Sequence, residues 1–313
     1  MVYPNSTLAS LTQQDNFYSN GVNSVNSSRF NDTFEAVYTR EMFGDLPFYV
    51  IAGNHDHHSN VDAQIEYSGV DPRWNFPSYY YSHNFSWDAS DGSGETRTAE
   101  LLLVDTVLLC GQSDIQDPAT REWTTLRGSE LRGPSDELNK ALADEQWSWL
   151  TERLSNSEAD FLWVAGHYPI WSAGSDGTTD LLVNELLPLL AASGAHYFSG
   201  HDHMWQHLIE TTSGTHMFQA GAGKECCYKD SHLSTVPEGY LQFMISGPQG
   251  NGTSIGYDGP SKGHIQGGFG SFVFGDEGVQ VSFHDQDGNM LYQPPLVARR
   301  SAAQRGSRPR GGA

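Results

Sequence analysis

Three segments of the chain set metal-capable side chains directly after a glycine: Gly53-Asn54-His55-Asp56, Gly166-His167-Tyr168-Pro169 and Gly200-His201-Asp202-His203. Each follows an apolar run that reads as a buried strand, Leu46–Ala52, Phe161–Ala165 and, most weakly, His196–Ser199. Open α/β sheets bind ligands in the loops beyond strand C-termini, and a glycine lets the chain turn so that the next side chain points into the crevice. Any one segment is compatible with an ordinary turn, since the chain has 13 histidines and most histidines are structural. Their joint occurrence after separate strands points to one metal-binding address.

His201 and His203 stand two apart and face opposite ways in extended geometry, which suits ligands of two neighbouring cations better than one. Two cations need a bridging carboxylate, and Asp15 in Asp15-Asn16-Phe17-Tyr18 is the candidate, with Tyr18 able to bind as phenolate. A tyrosine titrates at about pH 10, so binding it below neutrality asks for a strongly acidic ion such as ferric iron.

The elements that must position these residues alternate. Helical patterns run over Arg29–Arg40, with Phe30, Phe34 and Val37 on one face, over Ser135–Leu154 behind a Ser cap, and over Thr179–Ser193, with Gly194 as the stop. A further apolar run, Leu101–Leu109, reads as a strand without a polar run at its end. Ser86–Gly94 reads as a hairpin loop. Phe272–Phe274, Val279–Phe283 and Met290–Tyr292, separated by Gly- and Asp-containing turns, read as an antiparallel meander. An α/β layered sandwich with a mixed sheet follows.

Composition narrows the function classes. The net charge is -21, from 17 basic against 38 acidic residues, and five of the basic residues lie after residue 298. So acidic a surface repels a phosphate backbone, which excludes nucleic acid as a partner. No apolar run approaches the roughly 20 residues of a membrane span. The three cysteines, two of them adjacent, spell no disulfide framework. Five Asn-x-Ser/Thr sequons (Asn5, Asn26, Asn31, Asn84, Asn251) favour secretion of a glycoprotein. Met1 to Ser6, in contrast, has neither the basic start nor the apolar core of a signal peptide, so the expectation is a cytosolic protein or a chain whose beginning is missing.

These residues resemble the calcineurin-like metallophosphoesterases, and within them the small purple acid phosphatases related to tartrate-resistant acid phosphatase. The resemblance runs from Asp15 to Tyr292 and includes Asp15-Asn16-Phe17-Tyr18, Gly53-Asn54-His55-Asp56-His57, Asp105-Thr106, the two later histidine segments and Gly221-Ala222-Gly223. Arg73-Trp74-Asn75-Phe76-Pro77 separates the subgroup from the wider superfamily. The resemblance implies a four-layer α-β-β-α sandwich with mixed sheets. It implies a dinuclear Fe(III)–M(II) centre in which Asp15 bridges, Tyr18 and His203 bind the ferric ion, and Asn54, His167 and His201 hold divalent iron, zinc or manganese. Asn54 and His55 would contact substrate. His55 would be catalytic, protonating the leaving oxygen, with Asp56 either a partner for its ring or a turn acceptor.

The implied activity is hydrolysis of phosphate monoesters at acidic pH by a metal-bound hydroxide. A phosphodiester or pyrophosphate substrate, or an inactive metal-binding remnant, are the alternatives. Small phosphorylated substrates, a monomeric state, no membrane association, and a secreted or lysosomal location complete the expectation.

The chain departs from the family pattern in places. The family's Gly-Asp-x-Gly motif should precede Asp15, yet no aspartate stands among residues 1–14, and Ser10-Leu11-Thr12-Gln13-Gln14 is polar where an apolar strand is expected. The expected organisation is therefore a non-family segment at 1–14, an N-terminally incomplete domain at 15–296 lacking its first strand or strands, and a disordered basic tail at 297–313. Cys110 matches the first cysteine of a disulfide in mammalian relatives whose partner position is Leu181, which leaves Cys110 a lone buried thiol. A histidine of relatives is replaced near Asp176. Gln112–Gly133 corresponds to the loop that overhangs the site in mammalian relatives and restrains activity until cleaved. Here it reads as an ordinary solvated loop.

Overall fold

Alternation along the strands decides which layer each side chain serves. Phe48, Val50 and Ala52 pack with Phe30, Phe34 and Trp74, while the intervening Tyr49 and Ile51 face a second cluster. Leu101 and Leu103 join that second cluster with Phe161 and Trp163, whereas Leu102, Val104, Leu162 and Val164 turn to a third. Strands apolar on both faces must be covered on both sides, and these are. The computed structural model of the protein describes residues 10–12, 15–90, 92–257 and 265–305.

An eight-stranded mixed sheet has the order Ser254–Ile255, Leu241–Ile245, Trp205–Glu210, Thr215–Ala220, His196–Ser199, Phe161–Ala165, Thr96–Leu103 and Tyr81–Asp88. Its four central strands, Thr215–Ala220 through Thr96–Leu103, run parallel. One face carries the helices Thr106–Cys110, Glu137–Asn156 and Leu187–Ser193. The other packs on two smaller sheets: Gly268–Phe274, Gly278–Asp285, Met290–Tyr292 and Val297–Ala298, all antiparallel, and Ser10–Thr12, Phe48–Val50 and Trp74–Asn75, all parallel. The Val61–Tyr67 helix and the Asn31–Glu35 turn close the outer layer. The architecture is the α-β-β-α sandwich.

The strands Phe161–Ala165 and His196–Ser199 and the C-terminal meander lie where the sequence puts them. Leu101–Leu109 does not form one strand. The strand ends at Leu103, and Thr106–Cys110 is a buried helix whose Leu108 N–H is capped by Asp105. Asp105-Thr106 thus gives this strand a polar end as well. Asp136 rather than Ser135 caps the long helix, accepting from Asn139 N–H. Between Arg29 and Arg40 the chain is helical over residues 29–35, and Val37 is exposed while Phe30 and Phe34 are buried. Ser10–Thr12 pairs with Phe48–Val50 despite its polar sequence.

The C-terminal tail also differs from expectation. Val297–Ala298 pairs with the strand Gly278–Asp285, and buried Arg300 donates to the carbonyls of Ser193 and Ala159. Arg300 is held in place because its guanidinium finds helix-end and loop carbonyls that composition does not reveal. Residues 306–313 and 1–9 lie outside the described residues. Cys110 is a free buried thiol.

Three histidines on the large sheet form a cluster away from the polar strand ends. His207 Nε2 lies 2.9 Å from His216 Nδ1, His216 N–H donates to His196 Nδ1 at 3.1 Å, and the His207 ring stacks on Phe218. Burial, and then mutual repulsion, pushes His196 down to about 3 and His207 to about 2, and burial takes His216 to about 4. Below pH 6.5 the unfolded chain takes up protons that the folded chain refuses, so stability falls with falling pH. For His207 the loss at pH 5 is about 2 kcal/mol. The melting temperature should drop between pH 7 and pH 5, and His207→Phe should flatten that slope by about one proton. An unchanged slope in the variant would remove the cluster from the account.

Candidate active site

Four polar segments converge at the C-terminal ends of the parallel strands, and a single carboxylate organises two of them. Asp56, fully buried, accepts from Gly53 N–H (2.9 Å), Asn16 N–H (3.0 Å) and the Asn16 side-chain amide (3.2 Å) on one oxygen, and from Phe17 N–H (3.2 Å) and Gln64 Nε2 (2.9 Å) on the other. The Asp15 loop and the Asn54 loop are thereby tied together. Asp56 does not face the ring of His55, whose Nδ1 donates instead to Ser19 carbonyl at 2.6 Å. Of the two roles weighed for Asp56, its contacts are those of the turn acceptor.

The remaining site residues assemble around Asp15. Its Oδ1 accepts from His55 N–H at 2.8 Å and lies 3.7 Å from His167 Nε2. His167 Nε2 is 2.8 Å from Asn54 Oδ1 and 3.2 Å from His201 Nδ1. On the other side, Tyr18 hydroxyl meets His203 Nε2 at 2.9 Å. His201 and His203 thus reach different partners, helped by a left-handed backbone at His201 (φ 66°) just past the strand. His55 presents Nε2 to the cleft, 4.0 Å from Asp15 Oδ2.

Electrostatics favour ligation. Burial, then the neighbouring His167, holds His201 well below its ordinary value, and burial takes His203 down to about 4. Both rings are held in the neutral form, in which one ring nitrogen can donate a lone pair to a cation. Burial works to raise Asp15, but the charges of His167 and His55 and the His55 N–H outweigh it and keep it an anion. Burial and then Asp15 drive the Tyr18 hydroxyl far upward, so its ionisation calls for a cation. Donor atoms about 3–4 Å apart are what metal–ligand bonds of about 2.0–2.2 Å require, so the residues present fit a pair of cations. Gly53 is part of that fit: a Cβ there would sit 2.2 Å from Asp15 Oδ1 and 2.8 Å from His167 Cε1.

Several wall residues were not among the expected ligands or catalytic groups. Asp114, on the hairpin of strands Asp114–Gln116 and Trp123–Thr125, accepts from Asn54 Nδ2 at 2.7 Å and from Thr125 Oγ1 at 2.8 Å. The Gln112–Gly133 stretch is therefore folded onto the site and is not merely a solvated loop. Asp176 Oδ2 stands 3.7 Å from His201 Nε2, with its carboxyl pushed up to about 8 by burial and by Asp202. Glu225 lies 3.5 Å from His203 Nδ1, and Lys224 Nζ sits 4.2 Å above the Tyr18 ring. Two of them lie where the sequence held a hint: Asp176 near the position of the lost histidine, and Asp114 in the Gln112–Gly133 stretch that overhangs the site in mammalian relatives.

The profile of the calcineurin-like phosphoesterases matches residues 15–205. The chain belongs to that family. It is 37% identical over 286 residues to tartrate-resistant acid phosphatase type 5 of Rattus norvegicus, covering 91% of this chain and 77% of that protein. The Homo sapiens protein of the same name is 36% identical over 290 residues, covering 92% and 79%. Purple acid phosphatase 4 of Arabidopsis thaliana is 28% identical over 285 residues, covering 89% and 70%. Among solved structures, GAP50, the anchor in the inner membrane complex of Plasmodium, shares the fold at a TM-score of 0.67 and 20% identity, covering 94% and 79%. As a member of the acid phosphatase group, the chain is a phosphoester hydrolase, and its relatives imply a dinuclear metal centre.

Gly53→Ala should bring bound metal below one ion per chain with circular dichroism unchanged. Gly223→Ala, where a Cβ meets nothing within 4 Å, should bind metal as the parent does. Full metal content in Gly53→Ala would contradict the packing described.

Proposed function

We propose that the chain hydrolyses phosphate monoesters at acidic pH with a mixed ferric and divalent centre. In this reading Asp15 would be shared by the two ions, Tyr18 and His203 would hold the ferric ion, and Asn54, His167 and His201 would hold divalent iron, zinc or manganese. The observation that carries it is the approach of Tyr18 hydroxyl to His203 Nε2 at 2.9 Å, beside an Asp15 that also borders His167. When bound, the metal pair supplies an activated water at low pH and neutralises the phosphoryl oxygens.

The chain's own residues do the rest. His55 is fixed by its Nδ1–H bond to Ser19, so Nε2 points into the cleft and can carry the proton that the leaving alkoxide takes up. The Asn54 amide faces the same cleft, its Nδ2 aimed at the side where Asp114 now accepts it. Lys224 offers a cation at the mouth of an otherwise strongly acidic molecule, which favours arrival of a small phosphate ester. Asp56 acts as a positioning residue through Gly53 and Asn16.

The sequons at Asn26, Asn31, Asn84 and Asn251 are exposed, and we read the protein as a secreted or lysosomal monomeric glycoprotein with small phosphorylated substrates. Among the described residues no helix is long and apolar enough to cross a membrane.

Tyr18→Phe should abolish the visible charge-transfer absorption of the iron-loaded protein, and a band that persists would overturn the ligand assignment. His55→Asn should lower kcat on a monoester by about 100-fold to 10,000-fold. Parallel assays at acid pH should give faster turnover of a nitrophenyl monoester than of the corresponding diester, and the reverse order would move the reading to phosphodiesters.

A further inference from the structure

At the mouth of the cleft, two histidines are prepared identically. His55 Nδ1 and His58 Nδ1 both approach Ser19 carbonyl, at 2.6 and 3.0 Å. A carbonyl can only accept, so both rings carry a proton on Nδ1, and each neutral ring then exposes a lone pair on Nε2. Both Nε2 atoms point at one carboxylate oxygen: Asp114 Oδ2 is 3.8 Å from His55 Nε2 and 3.8 Å from His58 Nε2. The His58 side chain is only 6% exposed, and its Nε2 is buried without a hydrogen-bond partner among the described residues. A buried acceptor aimed at a second lone pair and an anion is costly unless something positive lies between them. His55, His58 and Asp114 can each offer one ligand atom so that the three lie within 4.8 Å of one another. Asp114 is itself oriented by Thr125 Oγ1 and Asn54 Nδ2, and the Trp123 ring lies 4.5 Å from that of His58.

We propose that His55, His58 and Asp114 form a third cation site, separate from the dinuclear centre and suited to zinc, and that filling it inhibits the enzyme. Two imidazole nitrogens and one carboxylate oxygen form a zinc donor set with a fourth position open to water. A cation there takes up the Nε2 lone pair of His55 and pins the Asp114 hairpin across the cleft. The inhibitory half rests on the role assigned above to His55. The binding half does not.

The test uses the metal-loaded full chain, its His58→Leu variant, and His58→Gln, which retains an amide N–H for Ser19 carbonyl. Equilibrium dialysis against zinc should give one more bound zinc in the parent than in either variant. Added zinc should inhibit the parent at a concentration about tenfold or more below that needed for the variants, with equal turnover when zinc is buffered away. Equal zinc content and equal inhibition in all chains would overturn the site. Extra zinc without inhibition would overturn its inhibitory role. A parent that hydrolyses no monoester at all defeats the preceding reading, whereas the zinc count decides this one regardless.

Discussion

The Asp56 carboxylate holds the site together. Five donors from three stretches of chain converge on its two oxygens, and through them the Asp15 loop and the Asn54 loop take their places. Without that knot nothing in the local sequence would bring Asp15 beside the His55 N–H. Burial and the neighbouring Asp15 push the Asp56 carboxyl up to about 6, against the pull of the Gly53, Asn16 and Gln64 donors. A cation on Asp15 relieves one source of that tension, so metal binding and the integrity of the knot reinforce each other.

The far side of the cleft follows the same logic with a second buried acid. Asp202 accepts from Ser172 hydroxyl and from Asp176 N–H, fixing the segment between His201 and His203 against the loop after His167. Glycines make that approach possible. A Cβ on Gly221 would meet the Asp202 carbonyl at 1.9 Å, and one on Gly174 its carboxylate at 2.4 to 2.5 Å. The left-handed backbone at His201 is the local cost of aiming His201 and His203 at different partners, of order 1–3 kcal/mol. His57 and Thr106 extend the bracing, the first bonding Asp105 at 2.7 Å and the second accepting from Tyr168 N–H at 2.9 Å.

What was readable in the sequence was whatever local pattern and burial agree on. Phe161–Ala165 and His196–Ser199 are strands because both faces meet apolar layers, and the glycine after each marks the turn into the site. Leu101–Leu109 misleads because a buried strand and a buried helix are both apolar, and the single break at Asp105 is a cap rather than a strand residue. That the Asp114 and Asp176 carboxylates face the cleft was not readable for a different reason. An acidic residue in a polar loop looks the same whether it faces water or folds back onto a cleft, and only tertiary packing distinguishes them. Arg300 is the same case in the tail, its burial decided by carbonyls more than a hundred residues away.

We propose above all that Asp15 lies between two cation positions, one defined by Asn54, His167 and His201 and the other by Tyr18 and His203. Anomalous diffraction at the iron and zinc edges from crystals of the metal-loaded protein tests it most directly. The account predicts two adjacent peaks sharing Asp15, one touching each group. A lone peak, or peaks remote from these side chains, would contradict it.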